Sequence, residues 1–321
     1  MAETYDIVII GGGAAGFTAG IYAARDRCRA LLLERVAAGG QVLNCEHIEN
    51  YPGFPDGIAG YTLGPLLQQQ AMHLGLAVQL AEVEAVRLEG ELQVVQTGDG
   101  VVRAKTLIIA TGSSFATLGI PGEEAFLGRG VSHCAACDGA MFMERPVAVI
   151  GGGDAALDEA LYLTQYAPQV TLVHHRDTLR ACQLLQERAQ ANTKLTFHWH
   201  TVVRTIEGDT VVQRLQIEDV KTGERSVLEV PGVFPYLGLT PNTQFLNGLV
   251  PLNAQGQIVT DLWMRTAIPG VLAAGDVRGD SARQLIAAAG DGATAALAAV
   301  RYLQTGQWLG EQDDMHEENT A

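Results

Sequence analysis

The chain is short of positive charge, and of lysine above all. Lysine and arginine together number 21 against 36 aspartates and glutamates, a formal net charge of −15. Only Lys105, Lys194 and Lys221 supply lysine. A nucleic acid partner needs a basic face to neutralise its phosphates, so none is expected. Cysteine is sparse as well. Cys28, Cys45, Cys134, Cys137 and Cys182 are too few, and odd in number, for a secreted disulfide framework. No apolar run nears the roughly 20 residues that span a bilayer. A strand entered by about Tyr5 leaves no room for a signal peptide, so the expectation is a cytoplasmic protein without membrane contact. What the chain has in excess is glycine, 37 of 321 residues, gathered in short turns. With 47% apolar residues, this length supports two domains with full cores.

The first glycine turn follows a short β-branched run, Tyr5-Asp6-Ile7-Val8-Ile9-Ile10, that reads as a buried parallel strand. Gly11-Gly12-Gly13-Ala14-Ala15-Gly16 matches G-x-G-x-x-G; a helical pattern runs on to Arg25, and a second apolar run, Ala30–Leu33, ends at Glu34. Gly11 permits the tight turn, Gly13 lets a pyrophosphate approach the backbone, and Gly16 lets helix and strand pack closely. The helix N-terminus adds N–H donors and a positive dipole. Glu34 arrives where a carboxylate can accept hydrogen bonds from a ribose diol.

The plan recurs. Pro146–Ile150 leads into Gly151-Gly152-Gly153-Asp154-Ala155-Ala156, then a helix, then Val170–His174. His174 follows Gly151 by 23 residues, as Glu34 follows Gly11. The two units differ at the position that reads the ribose. In the second, His174, His175, Arg176 and Arg180 form a cationic cluster suited to a 2′-phosphate. The first unit is therefore expected to hold FAD or NAD, and the second NADPH. Thr106–Gly112 and Gly270–Asp276 read as further buried strands, and an Ala-rich helix over 284–304 could cover the first cofactor. If both strands serve the first unit, that domain is discontinuous. The expected division is 1–115 with 245–321 around an inserted 116–244, with hinges at Leu118–Gly122 and Tyr236–Pro241.

Between the two turns stands Cys134-Ala135-Ala136-Cys137, followed by Asp138-Gly139. Two intervening residues let the sulfurs reach bonding distance, so the pair can cycle between dithiol and disulfide. Beside a dinucleotide turn, this points to electrons passing from a nucleotide to sulfur. No His/Cys spacing matches a zinc site.

These stretches, with Gly39-Gly40-Gln41, Glu49-Asn50-Tyr51-Pro52-Gly53, Ala110-Thr111-Gly112, Gly275-Asp276 and Arg283-Gln284, resemble the low-molecular-weight thioredoxin reductases over nearly the whole chain. The resemblance implies an α/β fold of two Rossmann-like domains, the second inserted into the first, and a homodimer. It implies FAD in the discontinuous domain, touched by Gln41, Asn50, Thr111, Gly112, Asp276, Arg283 and Gln284, and NADPH in the inserted one. It further implies a redox disulfide between Cys134 and Cys137, Asp138 as proton donor, thioredoxin as the protein substrate, and rotation of the inserted domain. The bland reading of Asp138 is a helix cap. Cys28 and Cys182 read as inert small thiols, and Cys45 lies in the loop after Gln41.

Three departures from the family pattern stand out. His175 replaces an arginine of the phosphate motif, which removes a fixed charge and makes NADPH affinity sensitive to pH. His133 precedes the first cysteine, where it would lower the Cys134 thiol pKa. Beyond Tyr302-Leu303 an acidic tail carries Trp308, read as a mobile terminus or as a ring over a partner's flavin. Three rival readings keep most of these residues: a relative drawing electrons from ferredoxin, a flavin-dependent dithiol oxidase, and a flavin-binding sensor without turnover.

Overall fold

In the computed structural model, which describes residues 3–308, the β-branched run near the N-terminus forms strand Thr4–Ile10. It pairs in parallel with Ala30–Glu34 on one side and Gly100–Ile109 on the other. Its side chains alternate between two cores, as the period of a strand requires. Ile7 and Ile9 join Phe17, Leu32, Ile108 and Leu272 on one face, whereas Val8 and Ile10 join Leu31, Leu33, Leu107 and Ile109 on the other. Burial on both faces explains why these strands read as continuous apolar runs.

The chain divides into two units, Met1–Ser114 with Pro241–Ala321, and Phe115–Thr240. In the first, a seven-stranded sheet runs Ala77–Leu80, Ala30–Glu34, Thr4–Ile10, Gly100–Ile109, Leu92–Thr97, Val83–Glu89. The late strand Val271–Ala273 pairs in parallel with the end of Gly100–Ile109. Helices Ala14–Arg25 and Leu285–Thr305 pack on one face. Glycine allows their close approach, since a Cβ on Gly292 would collide with the backbone of Ala15, and it also lets the first helix start tight on its strand, since a Cβ on Gly16 would collide with the carbonyl of Gly11.

The second unit holds a four-stranded parallel sheet in the order Leu195–His198, Val170–Val173, Val147–Gly151, Gly232–Tyr236. A three-stranded antiparallel sheet, Thr201–Gly208, Val212–Asp219 and Arg225–Glu229, completes it. Helix Asp154–Leu163 buries Ala156, Leu157, Ala160 and Leu163 against the parallel sheet. Among the described residues, no helix is long and apolar enough to cross a membrane.

Two expectations need correction. Leu118–Gly122 lies inside the second unit, not at a crossing between units. The N–H groups of Leu118 and Gly119 donate to the buried Glu123 carboxylate at 2.8 Å each, so this Gly- and Pro-rich stretch is tied down. Trp308 is neither mobile nor free to reach a partner subunit. The last helix ends at Gly306 in a left-handed conformation (φ 72°), and Trp308 folds back with 8% exposure. Its Nε1 donates to the Thr266 carbonyl at 3.1 Å, and its ring meets Tyr302 edge-on at 5.0 Å. The acidic residues 309–321 lie outside the described residues.

Candidate functional site

The first glycine turn is built around one carboxylate. Gly11 takes φ 106°, and a Cβ there would press on the Ala110 carbonyl. Glu34 Oε2 accepts the Gly12 N–H at 2.6 Å and Oε1 accepts the Val36 N–H at 2.8 Å, so Glu34 stiffens the turn while each oxygen keeps a further lone pair. Gly13 caps helix Ala14–Arg25 without a side-chain bond, and the nearest atom to a Cβ there is 3.9 Å away. The donors of the first turn thus face open space that an anion can enter.

Other expected residues of this unit gather through contacts distant in sequence. Gln41 Nε2 donates to the Ser113 carbonyl at 2.6 Å, and Asn50 Nδ2 to Gln284 Oε1 at 3.2 Å. Thr111 and Asn242 exchange two bonds, Thr111 Oγ1 to the Asn242 carbonyl at 2.8 Å and Asn242 Nδ2 to the Thr111 carbonyl at 2.9 Å. They fix the turn into Gly112. Asp276 accepts the Ser281 hydroxyl at 2.9 Å, and burial holds its carboxyl above the usual carboxylate range. Such a carboxyl gains from any hydroxyl-rich group that approaches it. Arg283, exposed and at φ 54°, donates its backbone N–H to Ser281 Oγ at 3.2 Å. Sequence reasoning missed Ser113, Asn242 and Ser281.

It also missed a buried ion pair. Arg278 Nε and one terminal nitrogen grip Asp291 at 2.7 and 2.8 Å, and Asp291 Oδ2 also accepts the Gly275 N–H at 3.1 Å. The two side chains are 15% and 10% exposed. Helix Leu285–Thr305 therefore clamps the turn that presents Asp276. Asp291→Leu is expected to cost about 3–5 kcal/mol by stranding the guanidinium. Chemical denaturation of the variant checks this, and Arg278→Leu in the same chain should restore most of the loss.

In the second turn, packing replaces the carboxylate. A Cβ on Gly152 would land on the His174 ring, which is 3% exposed with Nε2 3.1 Å from the Thr178 carbonyl. Burial, then His175, push the His174 pKa down. This corrects the expected cationic role of His174: its ring props the turn from beneath, uncharged. Arg180 is placed by its backbone, whose N–H donates to the Gly152 carbonyl at 2.7 Å. His175, Arg176 and Arg180 are exposed. Arg176 Nε donates to His175 Nε2 at 3.1 Å, which requires that nitrogen to be unprotonated. Burial, Arg176 and Arg180 together hold the His175 pKa below the usual histidine value, so Arg176 and Arg180 carry the standing charge. Gly151, Gly152, His175 and Arg180 line a cleft of about 480 Å³ with Thr201 and Tyr236. A Cβ on Gly153 would meet nothing within 4 Å. Asp154 opens the helix, its Oδ1 accepting the Cys182 N–H at 2.7 Å, and Ala155 after it is exposed.

Cys134 and Cys137 form a disulfide, with Cα atoms 5.3 Å apart. Cys134 caps the short helix Ala135–Asp138, its Sγ accepting the Cys137 N–H at 3.1 Å. The capping position belongs to Cys134, and Asp138, half-buried, caps neither this helix nor the next through its side chain. His133 stacks on Phe115 at 5.7 Å, with Nδ1 3.2 Å from the Pro235 carbonyl, so that nitrogen carries the proton. Cys137 is exposed, whereas Cys134 is half-buried. Cys28 is half-buried, with burial pushing its thiol pKa up; Cys182, read as an inert small thiol, is exposed, as is Cys45. Among the described residues, no His/Cys/Asp/Glu group could hold a metal.

The family model described as pyridine nucleotide-disulphide oxidoreductase matches residues 5–293. A thioredoxin reductase of Mycolicibacterium smegmatis is 43% identical over 310 residues, covering 96% of this chain and 98% of that protein. The crystal structure of Lactococcus lactis thioredoxin reductase superposes with a TM-score of 0.92 at 44% identity, covering 94% of this chain and 99% of that one. A ferredoxin-flavin thioredoxin reductase of Clostridium acetobutylicum is more distant, at 29% identity and a TM-score of 0.52, with 95% and 100% covered.

Proposed function

We infer the electron route of a chain that belongs to the pyridine nucleotide-disulphide oxidoreductase family: it is a thioredoxin-disulfide reductase that uses NADPH and FAD. The observation that carries the reading is the Cys134–Cys137 disulfide in the same unit as a glycine turn flanked by Arg176 and Arg180. When bound, FAD supplies the two-electron relay between a nicotinamide and a disulfide.

The residues present fit both cofactors. Around the first turn, Gly11 and Gly16 set the tight turn and its packing, Gly13 leaves the backbone open to a pyrophosphate, and Glu34 has lone pairs left for a ribose. Gln41, Asn50, Thr111, Gly112, Asp276, Arg283 and Gln284 would line the remainder, with the buried Asp276 carboxyl accepting hydroxyl donors. In the second unit, Gly151, Gly153, Asp154 and Ala155 would take the NADPH pyrophosphate. Arg176 and Arg180 would bind the 2′-phosphate, with His175 beside them.

Two electrons break the Cys134–Cys137 bond, and two protons complete the dithiol. Asp138, next in the chain to Cys137, would donate one of them. Cys137 is the more exposed residue of the pair, so its thiolate would attack the thioredoxin disulfide. Cys134 then displaces the mixed disulfide, releasing dithiol thioredoxin and restoring the Cys134–Cys137 bond. The net reaction consumes NADPH and one proton and yields NADP⁺ and a dithiol. A cytoplasmic homodimer is the proposed setting.

Anaerobic mixing of the flavin-loaded protein with NADPH should bleach the flavin within seconds, followed by absorbance. Bleaching by reduced ferredoxin but not by NADPH would overturn this reading. The ferredoxin and oxidase alternatives are not favoured, since the more similar relatives are named thioredoxin reductases.

A further inference from the structure

We propose that Glu159 is a positioning residue that sets how readily the Cys134–Cys137 disulfide is reduced, an inference resting on that pair being the redox centre. Glu159 stands within helix Asp154–Leu163, which begins at the second glycine turn. Its Oε2 accepts the Ala135 N–H at 3.2 Å. Ala135 is fully buried and packs in the same core as Ala160 and Leu163, so its amide needs an internal acceptor. A carboxylate from the nucleotide-turn helix thus holds the residue that follows Cys134.

Two backbone donors start the cysteine turn. The Cys137 N–H points to Cys134 Sγ, and the Ala135 N–H is occupied by Glu159. In the oxidised state the sulfur is neutral and the carboxylate costs it little. Reduction by two electrons breaks the S–S bond and creates thiol or thiolate at each sulfur. A negative charge developing on Cys134 stands one residue before the amide that the half-buried Glu159 carboxylate holds, and the two like charges repel. That repulsion raises the free energy of the reduced form relative to the disulfide. Glu159 thereby makes the pair a stronger reductant, in the direction that thioredoxin reduction requires.

The test uses the full-length, flavin-loaded protein, equilibrated without oxygen in mixtures of reduced and oxidised dithiothreitol. One dithiothreitol is oxidised to its cyclic disulfide for each Cys134–Cys137 bond reduced. Quenching with a mass-tagging maleimide and mass spectrometry of the peptide give the equilibrium constant. Glu159→Gln keeps an acceptor for Ala135 and removes the charge. It should shift the constant toward dithiol by roughly three- to tenfold, where tenfold corresponds to about 30 mV for two electrons. Glu159→Asn, shorter and equally neutral, should shift it the same way, while Glu159→Asp should stay within about twofold of the native chain. Neutral variants within about twofold of native would overturn the proposal, as would an Asp variant that shifts as far as Gln. Failure of the native disulfide to equilibrate at all would instead remove the redox assignment beneath it.

Discussion

Cys137→Ser is expected to abolish reduction of thioredoxin, by roughly a thousandfold or more, while NADPH still bleaches the flavin at the native rate. The two half-reactions use different atoms. Flavin reduction needs the proposed nucleotide and flavin sites, which do not include Cys137. Thioredoxin reduction needs a thiolate that a macromolecule can reach, and Cys137 is the exposed residue of the pair. Cys134→Ser should behave differently. It leaves Cys137 free to attack but removes the thiol that breaks the resulting bond, so a covalent complex with thioredoxin should accumulate. Stopped-flow absorbance follows the first half-reaction, and a non-reducing gel detects the complex. Native turnover in Cys137→Ser would overturn the assignment.

Replacing Arg176 and Arg180 together by alanine is expected to raise the KM for NADPH about a hundredfold or more. Each charge-assisted contact to a phosphate contributes about 1.5–3 kcal/mol. NADH lacks the 2′-phosphate, so its KM should move less than about threefold. Equal changes for the two nucleotides would mean that these arginines do not read that group. His175 adds a pH dependence whose sign follows from its depressed pKa. It is neutral in the free protein at neutral pH, and a phosphate dianion beside it would raise its pKa. NADPH binding would then take up a proton and tighten as pH falls from 7.5 toward 6, an effect absent for NADH. Steady-state KM values for both nucleotides across that range check the sign.

The parts of the site that were legible in sequence are those where local chemistry permits few residue types. The strand before Gly11, the helix to Arg25 and the strand ending at Glu34 lie where periodicity and glycine place them. Cys134 and Cys137 were legible because their spacing alone permits a bond. Elsewhere, tertiary contacts decide. His174 sits at the ribose-reading offset, yet Gly152 above it gives its ring a buried seat. Leu118–Gly122 reads as a hinge by composition, but Glu123 accepts its amides. Thr111 and Asn242 meet across 131 residues, and Arg278 meets Asp291 with no motif to announce it. Trp308 looked like part of a loose tail because nothing local shows that Thr266 and Tyr302 await it.

The interrupted first unit has a consequence for biosynthesis. Synthesis runs from the N-terminal side, yet the unit of residues 115–240 is uninterrupted and has all its strands once Thr240 has emerged. The earlier-made half must wait for Val271–Ala273 to flank its central strand and for Leu285–Thr305 to cover its sheet. The order of maturation is therefore reversed relative to the order of translation. A ribosome stalled between these points would display a finished nucleotide module on an unfinished flavin one, and yellow colour would come last.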